Sequence, residues 1–237
     1  VHISTQHRRL CLDSIIAGHL YERHRDGPGA LAEIHKIIDH WHFDSDTAVP
    51  KASQAVFLSP TTEEDVIFYR SISRTVNDSS VRDRILGTKW TNKIRTLERP
   101  HLSSMENAYK AIAVEELFYF FCGDVMQIEE LVCRAGRIGA LRNKGWGEID
   151  VDKVAADELP NDSELFGIIC SGNLMRPIPT RCENALMPFG EIQYNVGSIE
   201  SWCGPYHDPS TKDVCLVPMQ SGPHMVKTMA EIINLAK

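Results

Sequence analysis

The sequence predicts an α+β protein on three observations. Segments with the i, i+3, i+4 apolar spacing of helices alternate with short segments suited to strands. Residues 117–121 (Leu-Phe-Tyr-Phe-Phe) form a continuous apolar run with the character of a buried central strand. Gly-Pro and Ser-Pro pairs punctuate the chain between these segments, where turns are expected.

Taken in order, residues 1–5 alternate apolar and polar as a strand does, and Leu12, Ile15, Ile16, His19 and Leu20 then mark a helix face. Gly27-Pro28-Gly29 breaks the chain before a second helix with Leu31, Ile34, Ile38 and Trp41 on one face. Residues 55–58 and 66–72 read as strands, and Ser59-Pro60 with the polar 61–65 would turn them into a hairpin. Asp124 and Gln127 are a capping pair, after which Val125, Ile128, Leu131 and Val132 give a helix face that should stop at Gly136. Residues 137–151 then read as a glycine-punctuated basic loop running into an alternating strand. An acidic stretch (Asp152, Asp157, Glu158, Asp162, Glu164) around Pro160 reads as a linker. Short strands are expected at 165–170, 191–196 and 214–217. Gly222-Pro223 should open a last helix with Val226, Met229, Ala230 and Ile233 inward.

The 237 residues suit one elaborated domain or two small ones at roughly 100–200 residues per domain. With 43% apolar and 24% charged residues, the composition excludes disorder, collagen and coiled coil. No apolar run approaches the ~20 residues that span a bilayer, so no membrane association is expected. Seven cysteines without a C-x-x-C pair read as reduced thiols, and no charged-then-apolar leader follows Val1. The expected location is the cytoplasm.

A formal charge of −7 argues at first sight against a nucleic-acid partner. Its distribution reverses that reading. Residues 131–147 carry Arg134, Arg137, Arg142 and Lys144 with no acid, and residues 70–101 carry eight bases against three acids. These windows hold +4 and +5, so the other residues together hold −16. A glycine-rich loop lets backbone N–H groups approach phosphate or ribose closely, and basic side chains within it make a polyanion site. Trp146, between Gly145 and Gly147, is placed to stack on a base. The loop is neither a P-loop nor a G-x-G-x-x-G dinucleotide fingerprint, because the helix precedes it and the strand follows. A tight helix-to-strand turn with Trp146 in the core stays open as the structural alternative.

The order strand, helix, glycine-rich basic loop, strand over 117–152 resembles the second half of a ferredoxin-like or RRM-like unit in the RAMP superfamily of CRISPR-associated proteins. Within it, the chain is most similar to the Cas-five-like subunit of type IV CRISPR effectors. Three further pieces carry that similarity: Leu12-Asp13-Ser14-Ile15-Ile16-Ala17, Phe121-Cys122-Gly123-Asp124, and Met175-Arg176-Pro177-Ile178-Pro179 followed by Trp202 and Pro205-Tyr206. The resemblance implies a ferredoxin-like core over 1–155 with a basic thumb-like arm inserted at about 70–110, and a β-rich region over 156–237. It implies recognition of the 5′ handle of a CRISPR RNA, without catalysis or cofactor. The implied partners are backbone (Cas-seven-like) subunits, a large-subunit-like protein, target DNA and, in some systems, a DinG-family helicase. The implied RNA contacts are Arg137, Gly139, Arg142, Asn143, Lys144, Gly145, Trp146 and Gly147 in the loop. Lys89, Trp90, Lys93, Arg95 and Arg99 follow on the arm, Tyr109 and Lys110 at its base, with Arg176 elsewhere. A solvated loop is the alternative for the arm, and a structural role is the alternative for Arg176.

Other constellations point elsewhere. Cys182, Cys203, His207 and Cys215 suggest a zinc site or the centre of a small-molecule enzyme, but their spacings match no common finger. His35, His40 and His42 cluster near a helix end, where one would meet the dipole and the others solvent. Some relatives of the RAMP type are endoribonucleases. His101, Tyr109 and Lys110 are the residues here with the acid–base chemistry for such cleavage.

Overall fold

A computed structural model describes residues 2–4, 10–24, 27–45, 47–60, 64–70, 105–138, 147–159, 161, 163–203, 211–220 and 224–237. The chain is mixed α+β and divides into two compact units, Val1–Glu63 with Ile112–Lys237, and Glu64–Ala111.

The first unit begins with β1 (His2–Ser4), α1 (Leu12–His24) and α2 (Gly27–Ile37). α1 and α2 face each other through Leu12, Ile16, Leu20, Ala30, Ile34 and Ile37, all buried in one apolar cluster. Arg23 and His24 at the end of α1 pair with Glu33 of α2, so basic groups at a helix C-terminus also tie the two helices together. α2 stops before Trp41, which the sequence pattern had placed on its face. Asp39 N–H donates to Cys122 O at 2.9 Å, which turns the backbone into β2 (His40–His42), and Trp41 joins a different core.

β2 pairs with β3 (Ala48–Pro50), and residues 51–55 then form the crossroads of the unit. Their backbone groups bond five separate segments. Lys51 N–H donates to Asp39 O, Ser53 N–H to Phe120 O, Gln54 N–H to Met175 O and Ala55 N–H to Leu10 O, while Ala55 O accepts from His224 N–H. A buried stretch whose backbone groups bond five distant segments is held from several sides. β4 (Val56–Leu58) continues from it with all three residues buried. Val56 and Leu58 enter one apolar cluster and Phe57 another, as the two-residue period of a strand requires. Complete burial of Phe57 alone contributes about 1.5–3 kcal/mol.

The described residues of the second unit are β5 (Glu64–Arg70) and β6 (Met105–Ala113) as far as Ala111, an antiparallel pair in register from Glu64 opposite Ala111 to Arg70 opposite Met105. The expected hairpin between 55–58 and 66–72 is therefore not formed. β4 is satisfied instead by β7 (Glu116–Phe118), antiparallel, and by a strand from the far end of the chain.

The aromatic run at 117–121 is corrected in the same way. β7 covers only its first two residues and lies at the edge of the sheet, with β4 as its neighbour. Beyond Phe118 the backbone leaves the sheet to meet Ser53, whose hydroxyl accepts from Phe120 N–H at 2.9 Å. Gly123 then passes Ile37 so closely that a β-carbon would overlap the Ile37 carbonyl oxygen.

After α3 (Val125–Ala135) the described part of the expected 146–152 strand, residues 147–152, holds instead an isolated bridge at Glu148 and the start of a 3₁₀ turn at Val151–Lys153. Two-residue strands β8 (Ile169–Cys170), β9 (Asn173–Leu174) and β10 (Ile178–Pro179) follow, then the single turn α4 (Glu183–Leu186). β11 (Asn195–Ser201) and β12 (Lys212–Val217) pair antiparallel, and β12 lies between β10 and β11. Their core joins Leu165, Ile168, Ile178, Leu216 and Trp202 to Trp41 and Val49. β13 (His224–Val226) runs parallel to β4, and α5 (Met229–Leu235) closes the chain.

The last helix begins later than Gly222-Pro223 suggests. Thr228 caps it, accepting from Glu231 N–H at 3.4 Å, so Val226 belongs to a strand. That start turns Ile232 and Leu235 inward and leaves Met229 and Ile233 about half exposed.

Candidate nucleic-acid interface

The glycine-rich segment is built outward from α3. Asp124 is the N-cap, its Oδ1 accepting from Gln127 N–H at 3.0 Å while the Gln127 side chain donates to Oδ2 at 2.6 Å. These bonds to the charged form hold the exposed Asp124 carboxyl below the usual carboxylate range. Ile128 and Leu131 bury the inner face of α3 against α1 and α2. Gly136 ends the helix in the left-handed conformation (φ 60°), donating to Val132 O at 3.2 Å.

Directly after this cap the chain forms a short stem. Arg137 and Glu148 are bridge partners. Ile138 N–H donates to Gly147 O at 2.8 Å, and Ile149 N–H donates to Gly136 O at 3.1 Å. Ile138 is 3% exposed and packs with Leu10, Ile15, Ala55 and Phe57, which roots the stem in the core. Gly147 has φ 70°, and a β-carbon there would overlap the Ile138 carbonyl oxygen. Only glycine fits both requirements.

The stem subtends residues 139–146. Gly139, Arg142, Asn143, Lys144, Gly145 and Trp146 lie outside the described residues, so the reading of their side chains rests on the sequence. At the stem itself, Arg137 is 3.9 Å from Glu148 with both side chains exposed, and Arg134 pairs with Glu130 at 2.5 Å one helical turn away. Exposed pairs of this kind contribute about 0–1 kcal/mol and exchange readily for another anion. Glu148 is the residue that sequence reasoning passed over. Its signal was its position as the first acid beyond the basic window, symmetric with Arg137 about the loop.

Of the remaining expected contacts, Lys89, Trp90, Lys93, Arg95 and Arg99 lie outside the described residues, as does His101. Tyr109 and Lys110 occupy β6, opposite Val66 and Asp65.

Arg176 is corrected. It is fully buried, and its guanidinium is committed within the protein. Nη1 donates to Pro50 O and Ala52 O at 2.7 and 2.9 Å, and Nη2 donates to Trp202 O at 2.7 Å and to Asp13 Oδ2 at 3.2 Å. A side chain with no exposed surface offers no face to a phosphate. Arg176 ties the first and the third of the sequence pieces singled out above, through Asp13 and Trp202, into one buried cluster.

The cysteine and histidine groups also take definite places. Cys182, Cys203 and Cys215 are buried in a single apolar cluster, and burial pushes the thiols of Cys182 and Cys215 up to about 12. Zinc takes thiolate, which burial of this kind opposes. His207 is outside the described residues, and no set of three metal-ligating groups occurs among those described. His35 and His40 are not both solvated. Their rings stack at 4.0 Å, and burial first, then the neighbouring His35, push His40 down to about 4.

The chain matches no family model and no curated protein sequence. No helix among the described residues is long and apolar enough to cross a membrane.

Proposed function

We propose that this chain is the CRISPR RNA 5′-handle-binding subunit of a type IV RNA-guided DNA surveillance complex, built on a ferredoxin-like RAMP core with an inserted basic arm. It acts in the cytoplasm of a prokaryote without catalysis, closing one end of a filament of Cas-seven-like backbone subunits. A large-subunit-like protein, target DNA and a DinG-family helicase are its further partners.

What carries the reading is the glycine-pinned stem at Gly136 and Gly147, which presents an eight-residue segment with two bases and no acid directly after a capped helix. Glycines at 139, 145 and 147 bring backbone close to the RNA. Arg142 and Lys144 neutralise phosphates, and Arg137 does so by leaving Glu148. Asn143 reads a base edge or ribose, and Trp146 stacks. On the arm, Lys89, Lys93, Arg95 and Arg99 follow the RNA backbone, with Trp90 stacking and Tyr109 and Lys110 at the base.

The test is repeat-RNA binding across a salt series for wild type and the double variant Arg142→Ala, Lys144→Ala. Losing two phosphate contacts should weaken binding and reduce the slope of log affinity against log salt by about 1.4, at roughly 0.7 per contact for single strands. Unchanged affinity and slope in a folded variant would overturn the assignment.

A further inference from the structure

Three separated stretches of the first unit bring four polar side chains to one cleft of about 240 Å³: Ser171, His224, Glu231 and Asn234. Met225, Val226 and Leu235 supply its apolar lining. Ser171, Glu231 and Asn234 are exposed and His224 is half-buried, and the backbone that carries them is fixed. Ser171 (φ 47°) and Gly172 (φ 72°) are the two central residues of the β8–β9 hairpin, and positive φ at both is the type I′ pattern. For a serine this conformation is strained, and the turn is further fixed by Asn173 Nδ2 donating to Ser171 O at 3.0 Å. His224 donates its backbone N–H to Ala55 O at 3.1 Å and sits in register with Val56. Glu231 accepts from Lys227 N–H at 2.9 Å, and Asn161 Nδ2 anchors the end of α5 by donating to Ala236 O at 2.9 Å. The backbone on all three sides of the cleft is therefore fixed.

Its chemistry selects a narrow class of ligand. Burial lowers the His224 pKa despite the pull of Glu231, so near neutral pH the imidazole offers one donor and one acceptor nitrogen. The Ser171 hydroxyl and the Asn234 amide each supply both functions, and Glu231 supplies an acceptor. Among the described residues no Lys or Arg lines the cleft, and the one formal charge there is a carboxylate, which opposes phosphate. The volume falls below the ~300–1,000 Å³ of sites for drug-sized ligands. An uncharged planar heterocycle with donors and acceptors on its edge and apolar faces meets every one of these conditions.

We infer that this cleft receives a single unstacked nucleobase, with Glu231 accepting from an exocyclic amino group and Val226 and Leu235 against its face. An amino-bearing base such as cytosine is then preferred over uracil. The physiological source, a base splayed out of bound RNA, rests on the function proposed above. The chemistry of the cleft does not.

The experiment titrates the full chain, carrying ¹³C-methyl methionine, with cytidine, uridine and cytidine 5′-monophosphate. The Met225 methyl resonance is the reporter. Expected is a saturable shift with cytidine, a several-fold weaker one with uridine, no gain from the 5′-phosphate, and loss of the shift in Asn234→Leu and in Glu231→Leu. The inference is overturned by no saturable shift with any nucleoside, by a shift that persists in both variants, by tighter binding of the monophosphate, or by covalent capture of a fluorophosphonate on Ser171. Repeat-RNA binding by the same preparation separates the two readings. RNA bound without a nucleoside shift removes the base site alone, and a nucleoside shift without RNA binding removes the proposed function alone.

Discussion

Asp13 and Arg176, 163 residues apart in the chain, form an ion pair at 3.2 Å in which neither side chain is more than 1% exposed. One comes from the first turn of α1 and the other from the segment before β10. The same guanidinium also donates to the carbonyl oxygens of residues 50, 52 and 202, so it closes the crossroads at 51–55 against the C-terminal region.

Removing one member leaves a charge buried without its counterpart. Asp13→Ala or Arg176→Met should lower the free energy of unfolding by about 3–5 kcal/mol in denaturant titrations. The double variant should lose less than the sum of the two. Repeat-RNA affinity per folded molecule should stay at the wild-type value for Arg176→Met. A stable variant with weakened RNA binding would instead return Arg176 to the RNA surface.

Gly147→Ala puts a β-carbon against the Ile138 carbonyl oxygen in a left-handed backbone. The stem must open to admit it, breaking the Ile138–Gly147 hydrogen bond. Hydrogen exchange should report faster exchange of the Ile138 and Ile149 amides, with repeat-RNA affinity falling alongside. Gly136→Ala meets no atom closer than 3.9 Å and bears only the cost of the left-handed conformation, about 1 kcal/mol. It should disturb RNA binding less.

His40 should make the fold sensitive to acid. Its folded pKa, about 4, lies below the ordinary imidazole value of 6.5, so between these values the unfolded chain binds the proton more readily. Stability is complete above pH 6.5 and declines as pH falls toward 4. His35, His42 and Arg176 all act against protonation of His40, while its backbone bond with Ile38 favours it. Melting temperatures of wild type should drop between pH 6.5 and 4.5 more steeply than those of His40→Gln. Parallel curves would show that His40 does not contribute.

The start of the last helix can be read out by a pair of substitutions. Ile232 is 5% exposed and Ile233 is 54% exposed. Ile232→Ala should cost about 2–5 kcal/mol, and Ile233→Ala about 0.5 kcal/mol or less. A helix begun at Gly222-Pro223 with Ile233 inward would give the opposite order.

The proposed interface was legible to the extent that its determinants are local. Asp124, Gln127 and Gly136 specify both ends of α3 because a cap bonds backbone groups three or four residues away. The basic loop after it is a matter of composition. Glu148 was not legible as the partner of Arg137, because the stem forms only once Ile138 is drawn into a core shared with Leu10 and Phe57.

By itself, then, the sequence determined the α+β class, the helices α1 to α3 and the segregation of positive charge, all of which follow from spacing within about a dozen residues. Tertiary structure alone decided which strands meet. β4 bypasses the nearby β5 for β7 and for β13 at the far end of the chain, because a fully buried strand needs hydrogen-bonding and apolar partners on both sides. It also decided the place of Arg176. An Arg-Pro dipeptide reads equally well as a surface contact or a structural tie, and the choice was made by carbonyl oxygens and a carboxylate converging from residues 13, 50, 52 and 202, none of them its neighbour in sequence.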